Sequence, residues 1–288
     1  MKFTKMHGLG NDYVCVNVFE EHVENPPVLA HAVSDRHTGI GSDGLILIGR
    51  SEAADVRMTV YNSDGSRARM CGNGIRCVAK YAVERGLTPG PEVRIDTDAG
   101  MKVAECHVVD GVVRSVRVDM SRPALAASEI PSTIPVDRII DHPFHLRQSY
   151  PQASACAELH TEYVITCVSM GNPHAVVFVD DLVSIDLDNI GPNFEHAPEF
   201  PEGVNTHFVR VDSPRHVTMR TWERGSGATR ACGTGACAVC VAGSVTKRTR
   251  RKITATLPGG DLDLEWADND HVYMTGPAVE VFTGNWHG

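Results

Sequence analysis

The chain has 288 residues, 42% of them hydrophobic and 22% charged, with a formal net charge of −9 at pH 7. That length is near the limit of a single core and predicts two domains or one large one, and no stretch approaches the roughly 20 apolar residues of a membrane span. The acidic balance argues against nucleic acid or an anionic membrane as partner, since both call for a basic face, and the one basic run, Lys247 to Lys252, reads as a solvated loop. The first residues carry two lysines but no apolar core and no small-residue cleavage site, so cytoplasm is the expected compartment. Nine cysteines, an odd count in a chain too large to need staples, are expected to be reduced thiols.

In chain order, Gly10-Asn11-Asp12-Tyr13-Val14 leads into a strand-like run through Val18. A second such run, Met58-Thr59-Val60-Tyr61-Asn62, precedes Cys71-Gly72-Asn73-Gly74. After Gly74, apolar residues at Ile75, Val78, Ala79, Ala82 and Val83 keep helical spacing, and Gly86 with Pro89 supplies a stop. The alternating strand Val112 to Val118 runs into Met120-Ser121-Arg122-Pro123, which places a domain boundary near residues 118–124. Residues 121–160 carry Pro123, Pro131, Pro135, Pro143 and Pro151 and read as irregular connections. The histidines and Cys156 in or beside that stretch follow no zinc-ligand spacing and read as surface residues.

Beyond it, Gly171-Asn172-Pro173-His174-Ala175 opens the strand-like run Ala175 to Val179. Val204-Asn205-Thr206-His207-Phe208, Met219-Arg220-Thr221-Trp222-Glu223 and Arg224-Gly225 precede Cys232-Gly233-Thr234-Gly235. The following run Ala236 to Ala242 is apolar all round, the mark of a helix buried on every side. Val272-Tyr273-Met274 is a late strand.

Two of these motifs recur at one offset: 232 − 71 and 171 − 10 are both 161. In the same register, but more weakly, Asp43-Gly44-Leu45-Ile46-Leu47 faces Val204 to Phe208, and Met58 to Asn62 faces Met219 to Glu223. A fixed offset over such a span predicts two similar halves. Each reads as many short strands and few helices, satisfied by a sheet rolled round one buried helix, an α+β fold. The domains are expected at 1–119, completed by the C-terminal strand 276–288, and at 120–275.

In each half Cys-Gly-x-Gly sits where a buried helix begins. Its first turn offers unpaired N–H groups and a partial positive charge, which favour a thiolate and bind carboxylates. Two thiols across a shared cleft suit a reaction that removes a proton from one face of a carbon and delivers one to the other. Bland readings compete. An isolated cysteine is more often a buried structural thiol, and Cys77, Cys237 and Cys240 fit core packing in helices. Cys232-x4-Cys237-x2-Cys240 has the spacing of a plant-type iron–sulfur site, but that spacing belongs to an extended loop, not a helix. Zinc lacks a second pair of ligands. The glycine-rich segments carry no complete nucleotide fingerprint, and none of the six lysines lies in a motif suited to pyridoxal phosphate. A non-catalytic amino-acid-binding module could use the same cleft, without need of two thiols.

The strings His7-Gly8-Leu9-Gly10-Asn11-Asp12, Asn62-Ser63-Asp64-Gly65-Ser66, Met70-Cys71-Gly72-Asn73-Gly74-Ile75-Arg76-Cys77, Met170-Gly171-Asn172-Pro173-His174-Ala175-Val176, Glu223-Arg224-Gly225 and Ala231-Cys232-Gly233-Thr234-Gly235 resemble those of the diaminopimelate epimerases, in that family's order. Proline racemases carry His where this chain has Asn73, and the phenazine-biosynthesis relatives lack the cysteine pair. The resemblance implies two similar pseudo-twofold-related domains, each a mixed sheet around a central helix, and interconversion of LL- and meso-2,6-diaminopimelate without cofactor or metal. It implies Cys71 and Cys232 as acid and base, with His174 and Glu223 tuning them. Asn11, Asn62, Asn172, Asn205, Glu223 and Arg224 fall on substrate positions, and Gly72-Asn73 and Gly233-Thr234 on carboxylate-binding turns. One departure is Gly44, where some members have Gln. A homodimer is compatible with the resemblance.

Overall fold

The computed structural model describes residues 1–148 and 159–288, so Pro151 and Cys156 lie outside the described residues. The chain divides into a first half of residues 1–119 with 275–288 and a second half of 120–274.

In the first half the elements run β1 (Lys2–Gly8), β2 (Asn11–Asn17), α1 (Pro26–Ser34), β3 (Gly44–Gly49), β4 (Val56–Asn62), β5 (Arg67–Ala68), α2 (Gly72–Glu84), β6 (Glu92–Thr97), β7 (Gly100–Val109) and β8 (Val112–Asp119). Strand β1 pairs antiparallel with β2, β2 parallel with β3, β3 antiparallel with β4, and β4 parallel with β6. Short β5 pairs with β4, and β6, β7 and β8 form an antiparallel meander. The C-terminal strand Val279–Asn285 lies antiparallel to β1. Helix α2 touches β1, β2, β4, β6, β7 and β8, so the sheet curls about it. Everything from Gly72 to Ala82 is buried. The helix ends as expected: the Arg85 N–H returns to the Tyr81 carbonyl, and Gly86 adopts a left-handed φ of +68°.

The second half repeats this plan with β9 (His142–Gln148), β10 (Leu159–Ser169), β11 (Pro173–Phe178), α3 (Leu187–Glu195), β12 (Asn205–Ser213), β13 (His216–Glu223), β14 (Gly227–Thr229), α4 (Gly233–Val245), β15 (Lys252–Leu257) and β16 (Gly260–Trp266). From β10 to β16 the pairings alternate antiparallel, parallel, antiparallel, parallel, antiparallel, the order found from β1 to β7. Helix α4 is buried from Gly235 to Gly243 and packs on β10, β11, β12, β15 and β16. Its apolar circumference follows from that enclosure.

The weak sequence matches are structural equivalents. Tyr13 pairs with Gly44 across β2 and β3, as His174 pairs with Asn205 across β11 and β12. Ile46 pairs with Val60, as His207 pairs with Thr221. All four correspondences keep the offset of 161. Beyond the helices the offset becomes 160: Glu92 pairs with Glu105 and Lys252 with Glu265, one residue having dropped out.

Two features differ from the sequence expectation. Within 121–160, β9 is a regular strand whose Phe144 and Leu146 are buried while Pro143 and His145 face out. Proline and histidine at its outward positions hide the alternation. Helix α3 had no sequence signal because Gly191 and Pro192 interrupt it. Gly191 is required there, since a Cβ would lie 2.2 Å from the Trp222 ring. Among the described residues no helix is long and apolar enough to cross a membrane.

Candidate functional site

In the first half, Cys71 caps α2 and its Sγ accepts the Gly74 N–H at 3.3 Å. The Tyr13 hydroxyl lies 2.9 Å from that sulfur and 2.9 Å from Asn11 Oδ1. Asn11 Oδ1 also receives Asn73 Nδ2 at 3.1 Å, while Asn11 Nδ2 donates to Asp43 at 2.8 Å. Asn73 is oriented in turn by Arg76, whose Nη2 donates to its Oδ1 at 3.0 Å. Arg76 is fully buried and also donates to the Gly72 and Pro277 carbonyls. A buried guanidinium is tolerated only when its donors are satisfied. Gly8 leaves it room, because a Cβ there would come within 2.8 Å of Nη2. The structure thus brings Cys71, Gly72, Asn73 and Asn11 together. Asn62 stands at the end of β4, exposed, with its Nδ2 on Ser66 Oγ at 2.9 Å.

In the second half, Cys232 caps α4 and is 3% exposed. Burial first, then the Glu223 carboxylate, push its thiol well above the ordinary cysteine value, outweighing the Gly235 N–H and the Thr234 hydroxyl. The favourable effect expected of a helix N-terminus therefore loses here to desolvation and a like charge. Glu223 itself accepts the Thr229 hydroxyl at 2.5 Å. Thr234 Oγ1 is 3.7 Å from the sulfur and receives Asn172 Nδ2 at 3.5 Å. Asn172 Oδ1 is 3.0 Å from His174 Nε2.

A polar chain continues inward. His174 Nδ1 lies 2.9 Å from His207 Nε2, and His207 Nδ1 lies 2.9 Å from Thr221 Oγ1. Burial holds both imidazoles neutral: His207 is pushed down to about 3, and His174 well below its ordinary value by burial, His207 and Arg224 in that order. With Asn172 Oδ1 an acceptor, His174 donates from Nε2, so its Nδ1 accepts from His207 Nε2–H, and His207 Nδ1 accepts the Thr221 hydroxyl. His174 thus reaches Cys232 through Asn172 and Thr234. The equivalent positions in the first half, Tyr13, Ile46 and Val60, cannot form such a chain.

Asn205 donates from Nδ2 to the Pro173 carbonyl at 2.8 Å and accepts the Arg224 N–H at 3.1 Å. Arg224 is exposed, with Nη1 on the Glu202 carbonyl at 2.7 Å. Gly203, at φ +72°, lets its stem pass, since a Cβ there would meet Cδ at 2.9 Å. The loop behind is fixed by Glu195, which accepts the Trp222 Nε1–H at 2.7 Å and the Gly225 N–H at 2.8 Å. Gly44, the repeat position of Asn205, admits no side chain on this backbone: a Cβ would lie 2.3 Å from the Tyr61 oxygen.

Sequence reasoning did not single out Tyr13, Asp43, Arg76, Glu195 or His207 as parts of these half-sites. Arg76 carried a signal, a cation amid a helix of otherwise buried spacing, and His207 another, an imidazole within an apolar strand. Asp43 and Glu195 carried none, because only folding brings them beside Asn11 and Gly225. Cys77 and Cys240 are buried in the helices and pushed up to about 12 chiefly by burial.

A family model described as "Diaminopimelate epimerase" matches residues 3–126 and 166–281. The chain is 52% identical to the diaminopimelate epimerase of Acetivibrio thermocellus, over 99% of this chain and 98% of that one. It is 50% identical to that of Agathobacter rectalis over 99% and 98%, and 47% identical to that of Methanococcus maripaludis over 99% of both. Among solved structures, a phenazine biosynthesis protein of the PhzF family from Bacillus anthracis is similar in fold, with a TM-score of 0.70, 16% identity, and 99% and 98% of the two chains covered. A probable proline racemase from Agrobacterium radiobacter K84 gives 0.66 at 16% identity, over 99% and 92%.

Proposed function

Because this chain belongs to the diaminopimelate epimerase family, a family of isomerases, we propose that it interconverts LL- and meso-2,6-diaminopimelate by proton transfer between Cys71 and Cys232. One observation carries the assignment of the thiols: each caps a buried helix at the same register of a repeated fold. Inversion at carbon needs a base on one face of a nearly planar carbanion and an acid on the other, and each half supplies one sulfur. A thiolate takes the α-proton and becomes a thiol. The partner thiol delivers its proton to the opposite face and becomes a thiolate, so reversal of the roles runs the reverse reaction.

The negative charge that gathers on the α-carboxylate as the proton leaves is met by the N–H groups of the turns Gly72-Asn73 and Gly233-Thr234. Asn11, Asn62, Asn172 and Asn205 hold polar groups of the substrate, and Arg224 with Glu223 suits a distal end bearing both signs of charge. Glu223, beside Cys232, draws on its proton, and neutral His174 orients Asn172. The cytoplasm suits a chain with so many reduced thiols, and a homodimer is compatible with the reading. Incubation with LL-diaminopimelate in D2O tests it: meso product with deuterium at the α-carbon is expected, and product formed without deuterium would overturn the proton-transfer mechanism.

A further inference from the structure

The two thiols have different neighbours. At the repeat position where the second half carries Glu223, the first carries Asn62; where the second carries His174, the first carries Tyr13. Both ring nitrogens of His174 are engaged, by Asn172 and by His207. The Tyr13 hydroxyl instead lies 2.9 Å from the Cys71 sulfur. It also lies 2.9 Å from Asn11 Oδ1, so a single proton has two acceptors at equal distance.

Asn11 Oδ1 faces three donors: the Tyr13 hydroxyl, Asn73 Nδ2 at 3.1 Å and the Cys71 thiol at 3.6 Å. A carbonyl oxygen has only two lone pairs. Asn73 cannot turn away, because Arg76 holds its other end. When Cys71 is a thiolate the sulfur no longer donates and the hydroxyl can turn to it; when Cys71 is a thiol, its 3.6 Å contact is the weakest of the three and yields Asn11 to the hydroxyl at 2.9 Å. Resting on the two-thiol reading above, we propose that the Tyr13 hydroxyl is a switching donor in the reaction, bonded to the Cys71 sulfur while that sulfur is a thiolate and to Asn11 once it is protonated.

The protons balance within the proposed step. The substrate Cα–H bond breaks, an S–H bond forms on Cys71, and the carbanion keeps the electron pair. Tyr13 keeps its own proton and only rotates about the C–O bond, turning from sulfur to Asn11 as the sulfur's charge is lost. The phenol suits this role because burial, then the charge and hydrogen bond of Cys71, push its ionisation well above the ordinary value near 10. It remains a donor and does not compete as base. A hydrogen bond to a charged group is stronger than a neutral one, so the hydroxyl stabilises the thiolate more than the thiol. The same position in the second half has no hydroxyl, and Cys232 lies against a carboxylate instead.

Tyr13→Phe in the full chain deletes one oxygen and keeps the ring. The readout is the pH dependence of iodoacetamide alkylation at Cys71, followed peptide by peptide by mass spectrometry beside kcat and KM. Asp43 and Cys77 are the other ionisable groups that act on Tyr13, and Arg76 and Lys80 on α2 act on Cys77; none of them is altered. The midpoint for Cys71 is expected to rise by about one to two pH units, with kcat lowered about 10- to 100-fold, KM little changed, and the Cys232 profile unmoved. Site-specific 3-fluorotyrosine at position 13, a stronger donor that preserves the packing, is expected to move the midpoint down. A Cys71 midpoint unchanged in both variants would overturn the switching role, while loss of activity in Cys71→Ala would leave the two-thiol reading standing. Full activity in Cys71→Ala would instead overturn that reading itself.

Discussion

The α-carbon of Gly235 lies so close to the His207 ring that a Cβ built on it would fall 2.1 Å from Cε1. In the first half the same helix position, Gly74, faces Ile46, whose Cδ1 would be 2.7 Å from such a Cβ. The last glycine of each Cys-Gly-x-Gly motif is therefore a packing requirement between helix and sheet. It seats the first turn of α2 against β3 and that of α4 against β12.

Gly235→Ala is expected to destabilise the chain by about 1–3 kcal/mol through overpacking, although alanine in a helix is otherwise favoured by about 1 kcal/mol. Adding His207→Ala removes the ring, so alanine at 235 should then be tolerated or even favoured. Urea unfolding of the two single variants and the double variant measures the coupling. Additive effects would show that the ring is not what excludes the side chain.

The two buried imidazoles predict a pH dependence of stability. His207 is depressed from 6.5 to about 3 and His174 is also strongly depressed. Between those limits the unfolded chain binds protons that the folded chain refuses, so stability is complete above pH 6.5 and falls as the pH drops toward 3. Each group contributes a slope of about 1.4 kcal/mol per pH unit, or about 2 kcal/mol from His207 alone by pH 5. Denaturant midpoints measured from pH 7.5 to 4.5 should fall, and His207→Gln should flatten the decline. A variant with an unaltered slope would assign the effect to other groups.

Cys71→Ala and Cys232→Ala are each expected to abolish epimerisation with the fold retained, because each removes one of two proton-transfer partners. Product formation and circular dichroism on the same samples provide the check. Cys→Ser variants should remain folded and nearly inactive, since a hydroxyl is a far weaker acid than a thiol. Normal turnover in any of the four would point to another base.

Arg224, exposed in the free chain, is covered once a substrate carboxylate sits on it, so Arg224→Met is expected to lose on the order of 30-fold or more in kcat/KM toward diaminopimelate, from about 2–5 kcal/mol for one partner of a charge pair desolvated by binding. The same variant should show little change toward a lysine-like analogue without the distal carboxylate, which wild type should already process poorly. Comparable losses on both compounds would mean that Arg224, through its hydrogen bond to the Glu202 carbonyl, supports the loop and not the carboxylate.

The sequence by itself determined the repeat, the two helices and the motif cysteines at their heads. Each of these is written in short-range pattern: a four-residue motif, helical spacing from Ile75 to Val83, an unbroken apolar run after Gly235. Even the weak matches around Gly44 and Asn205 were correct, because strand register fixes which residues oppose and the two halves share it. Helix α3 was hidden because its Gly191 answers to the Trp222 ring, a contact between residues 31 positions apart. Only tertiary structure decided what surrounds each sulfur. Cys71 meets a hydroxyl 58 residues away and Cys232 a carboxylate and a buried imidazole chain. Two nearly identical motifs therefore stand in unlike surroundings, because the burial, charges and donors within a few ångströms of each sulfur come from strands the local sequence does not specify.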